Sequence, residues 1–147
     1  MDFLRDANLK REVKVKDKVL VIGGGNVATD VALTALRLGA KEVQLACLES
    51  REEIPAYEEE IQQAIDEGVG INVSWGPKRI LGDGKKVIGV ELVRCVSAFD
   101  KEGRFNPSYD EKVTKTIETD MVILAIGQTS DLALVPESVK TTEEGTI

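Results

Sequence analysis

The chain has 147 residues, 42% of them hydrophobic but with only one Trp, two Tyr and three Phe, which predicts a single globular domain with an aliphatic core. Its formal net charge of −7 argues against nucleic acid or an anionic membrane as a partner, since both need a basic surface, and no apolar run approaches the roughly 20 residues of a membrane span. With no histidine, and with Cys47 and Cys95 far apart in sequence, the chain alone cannot build most hydrolase triads, a dithiol centre, or a zinc or iron–sulfur site.

A strand, a glycine turn and a helix follow one another near the N-terminus. The four apolar residues Val19 to Ile22 predict a parallel strand buried on both faces, and Gly23-Gly24-Gly25 must then form a turn. Apolar residues recur at helical spacing from Val27, and Gly39 is placed to end that helix. The N-terminus of the predicted helix therefore points at the turn.

This turn matches the pattern Gly23-x-Gly25-x-x-Ala28, which is typical of a dinucleotide-binding site. Gly23 permits the tight turn, Gly25 lets the backbone approach the phosphates, and the small Ala28 lets helix and strand pack closely. The free amides around Asn26 and Val27, with the helix dipole, favour a diphosphate there. Because glycine-rich turns also occur as ordinary loops, the prediction depends on the strand and helix that flank this one.

Two more strands and a second helix are predicted before residue 76. Glu42 to Leu48 alternates as a strand, Pro55 is a plausible first helical position, and three acidic residues, Glu58 to Glu60, suit the first turn of that helix. The apolar stripe of the helix is Tyr57, Ile61, Ala64 and Ile65, and the third strand is marked by Val69, Ile71, Val73 and Trp75. The order strand, helix, strand, helix, strand predicts a parallel, doubly wound sheet.

The pattern changes after Pro77 to that of antiparallel strands. We expect strands at Ile80-Leu81, 87–97 and 112–118, with a polar loop over 100–110. The apolar run Met121 to Ile126 should then return as a parallel strand beside the first, ending at Gly127. The predicted fold class is α/β, a Rossmann-like parallel sheet with two to three helices and an antiparallel three-stranded β-meander as crossover.

Four segments carry a resemblance to a known family: VLVIGGGNVATDVALTALRLGAKEV, REEIPAYEEEI, VIGVELVR and TDMVILAIGQTSD. With them the chain resembles, over about residues 18–131, the NAD(P)H-binding domain of the glutamate synthase small (beta) subunit family, flavoproteins related to the pyridine nucleotide-disulfide oxidoreductases. The resemblance implies a domain that docks a nicotinamide for hydride transfer to FAD held elsewhere. The FAD-binding glycine motif and the cysteine clusters of such proteins are absent, so the chain looks like an excised fragment that is inactive alone.

The domain boundaries follow from this resemblance. Residues 1–16 are a lead-in or linker with a short helix from Asp2 to Leu9, 17–131 are the NAD(P)H-binding domain, and 132–147 are a tail toward the missing FAD domain. The implied partners are the FAD-binding domain of the same parent chain and an iron–sulfur or catalytic subunit, in the cytoplasm. Two other hypotheses stay open: an NAD(H)-sensing regulatory domain without catalysis, and a methyltransferase, against which the predicted meander argues.

The choice between NAD(H) and NADP(H) depends on the end of the second strand. Glu49 lies 21 residues beyond Ala28, where a carboxylate can bind both ribose hydroxyls and would repel a 2′-phosphate. Many NADPH-using relatives carry Tyr-Arg-Arg here, whereas this chain has Cys47-Leu48-Glu49. We therefore predict NAD(H). Two alternatives are that Glu49 is only an exposed turn residue, and that Ser50 and Arg51 together hold a 2′-phosphate.

The remaining candidates come from the helix and the last strand. Asp30 occupies a position where related disulfide oxidoreductases often have Glu, near the nicotinamide, but an exposed helical residue explains it equally well. Gly127 would let the backbone approach the cofactor, although an ordinary turn at the end of a strand explains this glycine equally well. Cys47 and Cys95 are interpreted as small core residues. No catalytic or metal-binding residue is predicted, and the candidate cofactor-binding residues are Gly23, Gly24, Gly25, Asn26, Val27, Asp30, Glu49, Ser50, Arg51 and Gly127.

Overall fold

A computed structural model describes residues 2–9 and 13–127 of the chain. The predicted tail at 132–147, the last residues of the predicted domain and part of the predicted linker lie outside the described residues. Helix α1 (Asp2–Asn8) confirms the short N-terminal helix. Its residues Phe3 and Leu4 pack against the core of the domain.

A four-stranded parallel sheet forms the centre of the molecule. Its strands are β1 (Lys18–Ile22), β2 (Glu42–Ala46), β3 (Gly70–Asn72) and β7 (Met121–Leu124), in the order β3-β2-β1-β7. Strand β7 pairs in parallel with β1, as the continuous apolar run predicts. The carboxyl ends of β1, β2 and β7 therefore meet at one edge of the sheet.

Two apolar cores cover the two faces of this sheet. Alternate residues of β1 separate them: Val19 and Val21 join the core formed with the helices, whereas Leu20 and Ile22 join the core formed with the antiparallel strands. The helix-side core includes α2 (Asn26–Arg37), whose apolar stripe contributes five buried residues, Ala28, Val31, Ala32, Leu33 and Ala35. Both faces of the central strand are buried, which explains its unbroken apolar sequence.

The crossover from β3 to β7 is a separate three-stranded antiparallel sheet, as predicted. Its strands are β4 (Trp75–Gly82), β5 (Val87–Phe99) and β6 (Phe105–Glu118), with β5 in the centre. The predicted loop over 100–110 is wrong in extent, because Ser97 pairs with Ser108 and Phe99 with Phe105. The hairpin thus turns within residues 100–104, where the Asp100 carboxylate accepts hydrogen bonds from the amides of Glu102 and Arg104.

Trp75 belongs to β4 and not to the third parallel strand, contrary to the sequence prediction. Ser74, the residue before it, has φ 59°, a left-handed conformation that redirects the chain between the two sheets. Alternation of apolar residues continues through this position, so the pattern alone conceals the break.

The second predicted helix, α3, spans Glu58–Asp66 and begins later than expected from Pro55. The side-chain oxygen of Asn26 accepts a hydrogen bond from the Tyr57 amide at 3.0 Å, and Tyr57 has extended backbone angles. The three glutamates lie in the first turn, as predicted. Only part of the predicted stripe is buried: Ile61 and Ala64 are covered, whereas Tyr57 is 68% and Ile65 43% exposed.

Candidate functional site

A cleft of about 760 Å³ lies at the sheet edge where β1, β2 and β7 end. One side is the glycine turn between β1 and α2, and the other is made by β4 and the β5–β6 hairpin. Seven of the ten candidate residues line it: Gly23, Gly24, Gly25, Asn26, Val27, Glu49 and Gly127. Residues that lie up to 104 positions apart in sequence are thus brought to one concave surface.

The fold itself requires the first glycine of the turn. Gly23 has φ 146°, and a Cβ there would overlap the carbonyl oxygen of Ala125 and lie 2.8 Å from its carbon. Its amide donates to the Ala46 carbonyl at 2.9 Å, while the Ala125 amide donates to the Ile22 carbonyl at 2.8 Å. Gly23 therefore allows three strand ends to approach one another closely.

The third glycine, Gly25, differs from the first, because no contact or backbone angle in the described residues requires glycine at this position. Gly25 is the N-cap of α2 with φ −87° and ψ 173°, angles open to any residue, and a Cβ there would meet no atom within 4 Å. The amides of Gly25, Asn26 and Val27 donate to no group in the described part of the chain, and no side chain caps the helix. An anion in the cleft would find free donors and the positive end of a helix dipole.

The middle glycine and Asn26 hold the loop that precedes α3. The Gly24 carbonyl accepts from the Ala56 amide at 3.0 Å, and the Asn26 side chain accepts from the Tyr57 amide. A Cβ on Gly24 would lie 3.0 Å from a carboxylate oxygen of Glu49, so this carboxylate stands directly beside the turn. A group that lies next to the turn on this side would therefore meet a carboxylate.

Three of the ten candidates do not line the cleft formed by the described residues. Asp30 is exposed on α2. The Ser50 amide donates to the Glu53 carboxylate at 3.2 Å, and the Arg51 guanidinium is paired with the Glu58 carboxylate. Their participation in binding remains a prediction that this geometry neither requires nor tests.

Several cleft residues escape the sequence analysis. They are Leu48, Pro55, Trp75, Pro77, Phe105 and Tyr109 among others. Phe105 and Tyr109 fall in the segment predicted as a loop, where a 100–110 turn would have carried them away from the sheet. If the strand had been predicted to begin at Phe105, the β5–β6 hairpin would have been expected to extend to the cleft.

Cys47 lines the cleft but is almost completely buried, and its thiol donates to the Glu49 carbonyl at 3.7 Å. Burial, with a smaller contribution from the Glu49 carboxylate, raises its pKa from 9.0 to about 12. Burial also raises the pKa of Cys95. Both side chains are free thiols in the described structure, in keeping with small core residues.

The Cys47 thiol makes the stability of the fold depend on alkaline pH. Above pH 9 the thiol ionises in the unfolded chain but stays protonated in the folded one. The free energy of unfolding is therefore unaffected by this thiol below pH 9 and falls as the pH rises toward 12. Between pH 8 and pH 10 we expect the wild type to lose about 1 kcal/mol more than Cys47→Ala, measured by urea unfolding. Identical pH dependence of the two proteins would contradict this.

Within residues 2–9 and 13–127, no group of three or more potential metal ligands comes together. No helix of that part of the chain is both long and apolar enough to cross a membrane.

Comparison with known proteins agrees with this architecture. The chain is 41% identical over 94% of its length to the NADPH-Fe(3+) oxidoreductase subunit beta of Geobacter sulfurreducens, and 36% identical over 74% to the glutamate synthase [NADPH] small chain of Azospirillum brasilense. It spans only 21% and 23% of the lengths of those relatives. Thioredoxin reductase of T. acidophilum shares the fold, with a TM-score of 0.69 at 23% identity, over 96% of this chain and 40% of that one.

The family model described as pyridine nucleotide-disulphide oxidoreductase matches residues 1–147. Its match extends through the glycine turn, the antiparallel crossover and the returning strand. The resemblance to the glutamate synthase small chain and the α/β fold predicted from the sequence are confirmed. This chain belongs to the pyridine nucleotide-disulphide oxidoreductase family.

Proposed function

We propose that this chain binds a nicotinamide dinucleotide in the cleft, with the pyrophosphate at Gly25 and the first turn of α2, and docks the nicotinamide for hydride transfer to FAD. The FAD is held by another domain of the same parent chain. The single observation that carries the proposal is the open space at Gly25. A glycine that the fold does not need, beside three unengaged amides, fits a site where a ligand occupies the volume of the missing side chain.

The dinucleotide would lie across the ends of β2, β1 and β7. Glu49 would accept hydrogen bonds from the adenosine ribose, and the nicotinamide would extend toward Gly127 and the exposed Ile126. The chain supplies binding and orientation, whereas the nicotinamide and the flavin supply the redox chemistry. An iron–sulfur or catalytic subunit would receive the electrons in turn.

We propose further that the chain prefers NAD(H), on the basis of its own residues. The names of the relatives given above specify NADPH, so the proposal departs from them. Its support is the Glu49 carboxylate beside the glycine turn and the placement of Arg51, which is paired with Glu58 outside the cleft. A 2′-phosphate would face a carboxylate with no guanidinium lining the site.

Titration of the chain with NADH and NADPH tests this preference. We expect NADH to bind at least about tenfold more tightly, and Glu49→Gln to tighten NADPH binding by about tenfold because it removes the repelling charge. Glu52→Gln is the control, since it makes the same charge change at an exposed position of the same loop. Tighter binding of NADPH than of NADH by the wild type would overturn the preference.

The role in hydride transfer needs the parent protein. We expect the purified full-length protein to show flavin absorbance that bleaches when reduced nicotinamide dinucleotide is added without oxygen. A parent protein without flavin, whose binding to a partner responds to dinucleotide, would instead support a sensing domain.

A further inference from the structure

We propose that the β5–β6 hairpin forms one wall of the cleft and holds the adenine ring of the dinucleotide against Tyr109 and Phe105. The inference rests on the proposed function, and it assigns to the antiparallel crossover a part in ligand recognition besides its part in connecting β3 to β7.

Both aromatic side chains line the cleft and are partly exposed. Tyr109 is 39% and Phe105 60% exposed, although both line the cavity. Phe105 packs against Phe99 in an edge-to-face arrangement, with ring centroids 5.9 Å apart. Two aromatic rings that line a cleft and are not fully covered offer a surface for another flat, apolar group.

The position of Tyr109 is set by its contact with β4. A Cβ on Gly76 would lie 2.9 Å from Cε1 of Tyr109 and 2.7 Å from Cδ2 of Leu48, so the absence of a side chain at Gly76 lets the ring and Leu48 come together. Tyr109 is also paired in register with the buried Cys95 of β5. The ring is thus anchored to the hairpin and to the β2 end at once.

The neighbouring residues determine which half of the dinucleotide this wall would meet. Leu48 immediately precedes Glu49, the residue proposed to bind the adenosine ribose, whereas Gly127 lies at the β7 end of the cleft. In a dinucleotide the adenine is attached directly to that ribose and the nicotinamide lies beyond the pyrophosphate. Tyr109, which meets Leu48 across Gly76, therefore stands on the adenine side of the site.

The chemistry of the wall suits a purine. Stacking of a base on an aromatic side chain stabilises binding by roughly 1 to 3 kcal/mol per base, which corresponds to about fivefold to 150-fold in affinity. Leucine at either position would keep an apolar surface of similar size but remove the aromatic face. The substitution therefore separates stacking from simple burial.

The test compares ligands that contain adenine with one that does not. For Tyr109→Leu and Phe105→Leu we expect affinity for NADH and for ADP-ribose to fall about tenfold, with affinity for reduced nicotinamide mononucleotide unchanged. Val96→Ala is the matched control, because Val96 is 67% exposed on the same hairpin and does not line the cleft. Circular dichroism and thermal unfolding establish that each variant is folded. Because Phe105 is more exposed than Tyr109, Phe105→Leu still tests the inference if Tyr109→Leu fails to fold.

The outcomes distinguish this inference from the proposed function. Unchanged NADH affinity in both folded variants would overturn the adenine wall while leaving dinucleotide binding in place. An equal loss of affinity for the mononucleotide would also overturn it, since the wall would then not be specific to the adenine half. A wild-type chain that binds neither NADH nor NADPH would overturn the proposed function and the inference together.

Discussion

Gly25→Ala is expected to lower the affinity of the chain for NADH at least about a hundredfold while changing its stability by only about 1 kcal/mol. The added methyl group meets no protein atom within 4 Å, so folding tolerates it, and the backbone angles of Gly25 suit alanine. The same methyl group would enter the space where the phosphates approach the amides of the first helical turn. Titration with NADH measures the loss of affinity, and urea unfolding measures the stability.

A useful control for this variant changes a residue elsewhere on the turn helix. Thr34→Ala changes the same helix, α2, away from the cleft, and should bind NADH as the wild type does. If Gly25→Ala bound NADH as tightly as the wild type, the phosphates would not lie at this residue and the main support for the proposed function would be lost.

Gly23→Ala is expected to act on folding, with a loss of about 3 to 5 kcal/mol in the free energy of unfolding. Its φ of 146° is unfavourable for any residue with a side chain, and the new methyl group would overlap the carbonyl oxygen of Ala125. Relief of that overlap requires β1 and β7 to separate where they are hydrogen-bonded. Urea or thermal unfolding, compared with the wild type and with Gly25→Ala, measures the effect.

An unchanged unfolding midpoint for Gly23→Ala would show that the strand ends can move apart at little cost. The two variants together separate two reasons for glycine within one short motif. Gly23 is needed because three strand ends meet there, whereas Gly25 is proposed to be needed because a ligand approaches its backbone. The sequence pattern contains both glycines and does not distinguish these reasons.

Much of the parallel half of the fold is predictable because its signals are local. The continuous apolar runs of β1 and β7 and the helical spacing of α2 each lie within a dozen residues, and each is confirmed. Errors begin where pairing between distant residues decides the outcome. Strand β6 is polar and exposed over most of its length, and the sequence predicts only its last part, 112–118. Its register with β5 shows that the strand begins at Phe105.

The ends of the helices and strands around the site also depend on contacts between distant residues. The Asn26 side chain binds the Tyr57 amide, 31 residues away, and the helix that follows begins at Glu58 instead of near Pro55. Ser74 adopts a left-handed conformation that no local pattern announces, and Trp75 consequently joins the other sheet. Contacts of this kind become visible only when the chain is folded.

The glycine turn, the parallel strands that flank it and the family of the chain are all predictable from the sequence, because they depend on short-range periodicity and on residues with special backbone freedom. By contrast, it takes the folded chain to show that Glu49 stands beside the turn, that Arg51 is paired with Glu58, and that Tyr109 and Phe105 line the same cleft. The positions of these side chains depend on strand register, on the length of a hairpin and on which charged groups pair with one another. Each of these interactions joins residues that are far apart in the chain, so the local sequence pattern does not reveal it.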